Sequence, residues 1–109
     1  MQLVTADDIL PFLDNEKDTA AVRSKINACE ALAQAQAENY AMTSFKAYTP
    51  DTVPADIRAA LIKWSVAEFI ASYSNTNYLE GDGNYTDRAS RLRKEAQEVL
   101  ARYRPVLAL

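Results

Sequence analysis

The chain has 109 residues, of which 49% are hydrophobic, and its 12 basic and 15 acidic residues give a net charge of −3. This length predicts a single domain over residues 1–109 with one compact core. Histidine is absent and Cys29 is the only cysteine, which argues against imidazole catalysis, a zinc–cysteine cluster and an internal disulfide. An acidic chain gains little by releasing counterions from nucleic acid, so tight DNA binding is disfavoured.

Glycine is restricted to Gly81 and Gly83, too few for glycine-rich phosphate loops or for the tight turns of a small β protein. We therefore predict an all-α fold, a bundle of about four helices. Thr5 and Asp8 have the spacing of a capping box and predict the first helix, which Pro11 should kink or shorten.

A second helix is predicted from about residue 17 to residue 41, because apolar residues recur there at helical spacing. Its apolar stripe consists of Val22, Ile26, Cys29, Ala33 and Tyr40, with Leu32 widening it. A neighbouring side carries small residues that permit another helix to approach closely, either within the chain or in an assembly. These residues are Ala21, Ser24, Ala28, Ala31 and Ala35.

The connection over residues 43–52 contains Phe45 and Tyr48, which we expect to pack against the core. Pro54 and Asp56 then favour the start of a third helix, since proline is tolerated in a first turn and aspartate stabilises the positive end of the helix dipole. Apolar residues cover both sides of this helix. We predict that it is the long central helix, with about 21 residues and a length of about 30 Å.

Residues 74–85 contain both glycines and several asparagines, which predicts a flexible joint. After Thr86 a final helix presents a narrow apolar stripe and ends at Pro105. The stripe consists of Ala89, Leu92, Ala96, Val99, Leu100 and Tyr103. Residues 105–109 form a short apolar tail.

Nothing in the sequence has the pattern of a catalytic, metal or cofactor site, and we predict that the protein is not an enzyme and needs no cofactor. Asp7 and Asp8 are adjacent rather than facing, so they fit a helix start better than an acid–base pair. Residues 82–87 superficially match a calcium loop, but Asp87 replaces the required glycine and Arg93 replaces the closing glutamate. The chain shows no export signal or membrane-spanning run.

Charge is distributed unevenly along the chain. Residues 1–19 contain five acids and one base, whereas residues 84–109 contain six bases and three acids. The acidic front and the basic last helix can meet within one chain or between neighbouring copies. The arginines of the last helix fit a solvated face or a protein contact better than a nucleic-acid contact, because three acids alternate with the bases.

Together these elements resemble the head–tail connector proteins, also called head-completion adaptors, of tailed bacteriophages. Four segments carry the resemblance: Thr5-Ala-Asp-Asp-Ile-Leu, Ile26-Asn-Ala-Cys-Glu-Ala-Leu-Ala, Val53-Pro-Ala-Asp-Ile-Arg-Ala-Ala-Leu and Leu92-Arg-Lys-Glu-Ala-Gln-Glu-Val-Leu-Ala-Arg-Tyr-Arg. The resemblance implies a non-enzymatic virion protein, made in the host cytoplasm and placed at the virion neck. It further implies a homo-oligomeric ring, typically dodecameric, that extends the channel of the portal protein, supports a tail or stopper protein and lets genomic DNA pass without specific binding.

Residues suited to these contacts follow from charge and side-chain size. A ring needs a heterologous interface, for which the candidates are Asp7, Asp8, Ala28, Ala31, Ala35, Arg93 and Arg104. The candidates for portal docking are the apolar tail residues Val106, Leu107 and Leu109. Two other functions stay open: a small DNA-binding regulator that reads DNA with its last helix, and a monomeric inhibitor or immunity-type protein that binds its target through an acidic surface.

Overall fold

The structure, a computed structural model, describes residues 2–13, 16–72 and 84–105. Helix α1 is Ala6–Ile9 and continues as a 3-10 turn at Leu10–Phe12; α2 is Ala20–Ala41; α3 is Ala55–Ala71; α4 is Asn84–Leu100, followed by a 3-10 turn at Ala101–Tyr103. These residues contain helices and no strand, which confirms the predicted all-α bundle. Helix α3 packs against both α2 and α4, and α1 contacts α2 and α3.

The limits of the first helix follow from two signals in the sequence, a capping box at its start and Pro11 near its end. The backbone N–H of Thr5 donates to the Asp8 carboxylate at 2.8 Å, as in a capping box. Pro11 lies in the 3-10 turn that ends the element. The segment that leads into α1 is well packed, with Leu3, Val4 and Ile9 buried.

Helix α2 begins later than predicted, because Thr19 caps it: its hydroxyl oxygen accepts a hydrogen bond from Val22 N–H at 3.1 Å. The buried face of α2 is formed by Ile26, Glu30, Ala33, Ala37 and Ala41. The expectation that Leu32 widens the apolar stripe is wrong, since Leu32 is 48% exposed. In its place the charged residue Glu30 occupies the core.

The prediction that α3 has two buried faces is confirmed, and its buried residues are Ile57, Ala60, Leu61, Trp64, Ser65, Val66, Ala67, Phe69 and Ile70. Toward α2, the Trp64 indole N–H donates to Gln36 at 2.8 Å and the ring meets Tyr40 edge-on at 6.2 Å. The helix is shorter than predicted, with 17 residues and a length of about 25 Å. Phe45, in the preceding connection, is buried as expected.

Helix α4 begins at Asn84, before the predicted start, so residues 84 and 85 belong to the helix and not to the joint. The rest of the predicted joint, residues 74–83, lies outside the described residues, as do tail residues 106–109. Ala89, Ala96 and Leu100 are buried along the predicted stripe. Arg104 is extended ahead of Pro105, which confirms the predicted end of the helix.

The end of the described chain is bound to the end of α2, to the connection after it and to the start of α3. The Tyr103 hydroxyl donates to the Asp56 carboxylate, with its oxygen 2.6 and 2.7 Å from the two carboxylate oxygens. The Thr43 hydroxyl donates to the Tyr103 carbonyl at 3.2 Å. Arg104 Nε donates to the Tyr40 carbonyl at 2.8 Å, and its guanidinium lies 4.1 Å from the centre of the Tyr40 ring.

We expect Tyr103→Phe to lower the free energy of unfolding by about 1 kcal/mol, because it removes a charge-assisted hydrogen bond that is partly exposed. That bond also raises the pKa of Tyr103 to about 12. The neutral phenol therefore favours the folded state below about pH 10, and this contribution is lost as the pH rises toward about 12. Urea unfolding at neutral and alkaline pH measures both effects.

Tyr48→Phe is the matched control, because among the described residues the Tyr48 hydroxyl has no hydrogen bond. A loss of stability in Tyr48→Phe equal to that in Tyr103→Phe would contradict the role given to the Tyr103–Asp56 bond.

Candidate functional site

The small-residue side of α2 is the most extensive uniform surface among the interface candidates. Ala21, Ser24, Ala28, Ala31 and Ala35, hereafter the alanine face, are all exposed. At 100° per residue, the alanine face lies opposite the buried face of α2 and not beside it as predicted, and it extends over about four turns. Since the described elements leave it uncovered, the alanine face is available for an assembly contact.

A shallow groove of about 350 Å³ borders the alanine face, between α2 and the end of α3. Ala28 lies on the shared edge, and Leu32, Cys29 and Glu68 line the groove. Burial raises the pKa of the Cys29 thiol above its usual range, and the nearby Glu68 carboxylate raises it further. A thiol with a raised pKa stays protonated near neutral pH, so Cys29 contributes to this surface as a small apolar side chain.

The two acidic candidates have different roles. Asp8 caps α1 and accepts a hydrogen bond from Arg58 on α3, so its carboxylate is used within the chain. Asp7 is 78% exposed and lies 2.8 Å from Arg23, which also binds Asp18. The hydrogen bond from Arg23 lowers the pKa of Asp18 and so favours its ionised form. Of the two, Asp7 is the better placed for an outside contact.

The basic candidates also have partners within the chain. Arg93 lies 2.7 Å from Glu68 and joins α4 to α3, and Arg104 is held against Tyr40 as described above. Within the described chain, Asp7 and Asp8 contact Arg23 and Arg58, and Arg93 contacts Glu68, so these charges bind the middle of the chain. A contact between the acidic front and the basic last helix of neighbouring copies stays a prediction.

The feature that sequence reasoning missed is Glu30. It is 1% exposed, and among the described residues neither carboxylate oxygen has a hydrogen-bond partner. Gln2 donates to the Asn27 carbonyl and Leu3 N–H donates to the Gln34 side chain, so the N-terminal segment crosses α2 beside Glu30. The sequence did contain a signal for the burial of Glu30, which is its spacing. Glu30 lies four residues after Ile26 and three before Ala33, within the apolar stripe of α2.

Burial, together with the smaller effect of the nearby Asp8 carboxylate, raises the pKa of Glu30 to about 7. The carboxyl group is therefore mainly protonated in the folded protein under mildly acidic conditions, which avoids burying a bare charge. Ser65 on α3 likewise has a buried hydroxyl with no hydrogen-bond partner among the described residues.

Within the described ranges, no three side chains of the metal-ligating types come together, and no helix is both long and apolar enough to span a bilayer. The portal-docking candidates Val106, Leu107 and Leu109 lie outside these ranges. Comparison with family models, with curated proteins and with solved structures finds no match to this chain.

We expect Glu30→Gln to raise the free energy of unfolding at about pH 8 and to leave it nearly unchanged at about pH 4. In the folded state the pKa of Glu30 is raised from 4.5 to about 7, so the wild-type protein loses stability as the pH rises through this interval. Each pKa unit corresponds to about 1.4 kcal/mol, which makes the full loss about 3 kcal/mol.

The measurement is chemical unfolding of both proteins across this pH range, with Glu98→Gln as the control, because Glu98 is exposed on α4. Parallel pH profiles for wild type and Glu30→Gln would show that Glu30 does not control this dependence.

Proposed function

We propose that this protein is a structural adaptor that assembles side by side with copies of itself, and that its place is the head–tail connector ring of a tailed bacteriophage. The observation that carries the proposal is the alanine face: about four turns of exposed small side chains on the longest helix of the described chain. Small side chains let a neighbouring helix approach to the short end of the usual 8–10 Å interaxial distance.

A closed ring needs a heterologous contact, in which one surface of a copy binds a different surface of the next. The alanine face and Leu32 supply an apolar patch for one side of such a contact. The exposed Asp7 and Arg104 are candidates for the other side. Asp7 and Asp18 both bind Arg23 near the start of α2, so this exposed cluster keeps one net negative charge, which would disfavour contact with the phosphates of DNA passing through a channel.

A DNA-binding regulator would need the arginines near the C-terminus to face phosphates. Instead, Arg88 donates to the Phe12 carbonyl at 3.3 Å, Arg93 binds Glu68 and Arg104 binds Tyr40. These three arginine side chains near the C-terminus are thus directed at acceptors within the protein. This geometry supports a protein-assembly role better than nucleic-acid recognition.

The direct test of the proposal is electron microscopy of the protein mixed with purified portal rings. We expect the wild-type protein to add a ring of density coaxial with the portal. A variant that lacks residues 106–109 should fold and melt normally but fail to dock, because these apolar residues are the proposed portal contact. A wild-type protein that stays monomeric beside the portals, or that binds DNA in a steeply salt-dependent way, would refute the adaptor function.

We expect Ala31→Arg to abolish self-assembly, since a long charged side chain in the middle of the alanine face would prevent close helix approach. Its unfolding free energy should stay within about 0.5 kcal/mol of the wild-type value, because the position is exposed. Ser90→Arg places the same charge on an exposed position of α4 and serves as the control. Mass photometry over a range of concentrations compares the three proteins, and equal assembly of all three would exclude the alanine face as the interface.

A further inference from the structure

A compact apolar cavity lies on the other side of the molecule from the groove, between α3, α4 and the 3-10 turn that follows α1. It has a volume of about 190 Å³. Its apolar lining consists of Phe12, Ala59, Ile62, Val66 and Leu92. The function proposed above makes no use of this cavity.

The size of the cavity limits what can occupy it. A fully enclosed cavity of about 150 Å³ with an aliphatic and aromatic lining binds benzene; the cavity in this protein has a similar size and is open to solvent at Phe12. A cavity of 190 Å³ therefore fits an apolar body of about six to eight carbon atoms, and it is smaller than the roughly 300–1,000 Å³ of sites for larger ligands. Phe12, which is 50% exposed, would be covered by such an occupant.

Two cations complete the lining, Lys63 from α3 and Arg88 from α4. Lys63 lies 3.5 Å from Glu95, and Arg88 donates to the Phe12 carbonyl at 3.3 Å, so both are held by long contacts. Among the residues that the structure describes, no acidic side chain is part of the lining. Arg88 has further N–H donors in its planar fork, a geometry that matches a carboxylate.

We propose that this cavity binds a small monocarboxylate, with its compact apolar body against Ile62, Val66 and Leu92 and its carboxylate on Arg88. The apolar body would drive binding through burial, and the charge would select acids over neutral molecules of the same shape. Lys63 would add attraction, although Glu95 competes for it.

The test is a methyl NMR titration of the full chain with hexanoate and, separately, with 1-hexanol, which has the same chain without the charge. We expect hexanoate to shift the methyl signals of Ile62, Val66 and Leu92 in a saturable way, with a submillimolar Kd. Hexanol should bind at least tenfold more weakly. Equal affinity for the two molecules, or no saturable shift with hexanoate, would overturn the proposal.

Three variants locate the binding. Ala59→Leu fills the cavity from an exposed position of α3 and should weaken hexanoate binding at least tenfold. Arg88→Met should reduce the affinity for hexanoate to that for hexanol. Lys94→Met removes one positive charge from an exposed position of α4 outside the lining and should change neither affinity.

Thermal unfolding first shows that each variant is folded. If Lys94→Met weakens hexanoate binding as much as Arg88→Met, general charge attraction and not the cavity explains the binding. If Ala59→Leu binds as tightly as wild type, the ligand occupies another place, and the proposal fails.

Discussion

The burial of α3 on two sides is the constraint from which the other elements take their positions. Trp64 and Leu61 belong to a helix that must be covered by α2 on one side and α4 on another. One partner helix with a single apolar stripe cannot cover both apolar sides of α3. Helices α2 and α4 therefore each pack a narrow apolar stripe against it. The N-terminal segment and α1 fill the remaining space. The outer sides of α2 and α4 stay available for other contacts.

Hydrophobic burial drives the packing of the helices, and polar contacts then fix how the packed helices are arranged. Tyr103 binds Asp56 at the start of α3, and Arg93 binds Glu68 toward its end, so α4 and the turn after it are attached to α3 at two separated points. Partly buried pairs of this kind add directional preference to a core that many packings could satisfy. These contacts occupy the charged groups of Asp56, Glu68 and Arg93, which by charge alone were available to a partner protein.

Glu30 and the alanine face present opposite departures from the simplest pattern of a surface helix. A carboxyl group lies in the core, while alanines and Leu32 lie outside. The outward apolar face fits a helix with a second partner, which is the basis of the assembly proposed here. We expect the inward carboxyl group to make the stability of the fold depend on pH, because it is buried most easily in its protonated form.

Local signals in the sequence determined the class of fold and the approximate limits of the helices. Thr5 with Asp8, Pro54 and Pro105 act on neighbouring backbone groups, and helical periodicity placed the stripes of α3 and α4 correctly. Only the tertiary structure decided that Glu30 is buried and Leu32 exposed, since this depends on which sides of α2 the N-terminal segment and α3 cover. It also decided which charges pair, because Arg93 and Glu68 are 25 residues apart and meet only when α3 and α4 pack. Backbone preferences depend on residues that are neighbours in the sequence, whereas burial and ion pairing depend on segments that packing brings together.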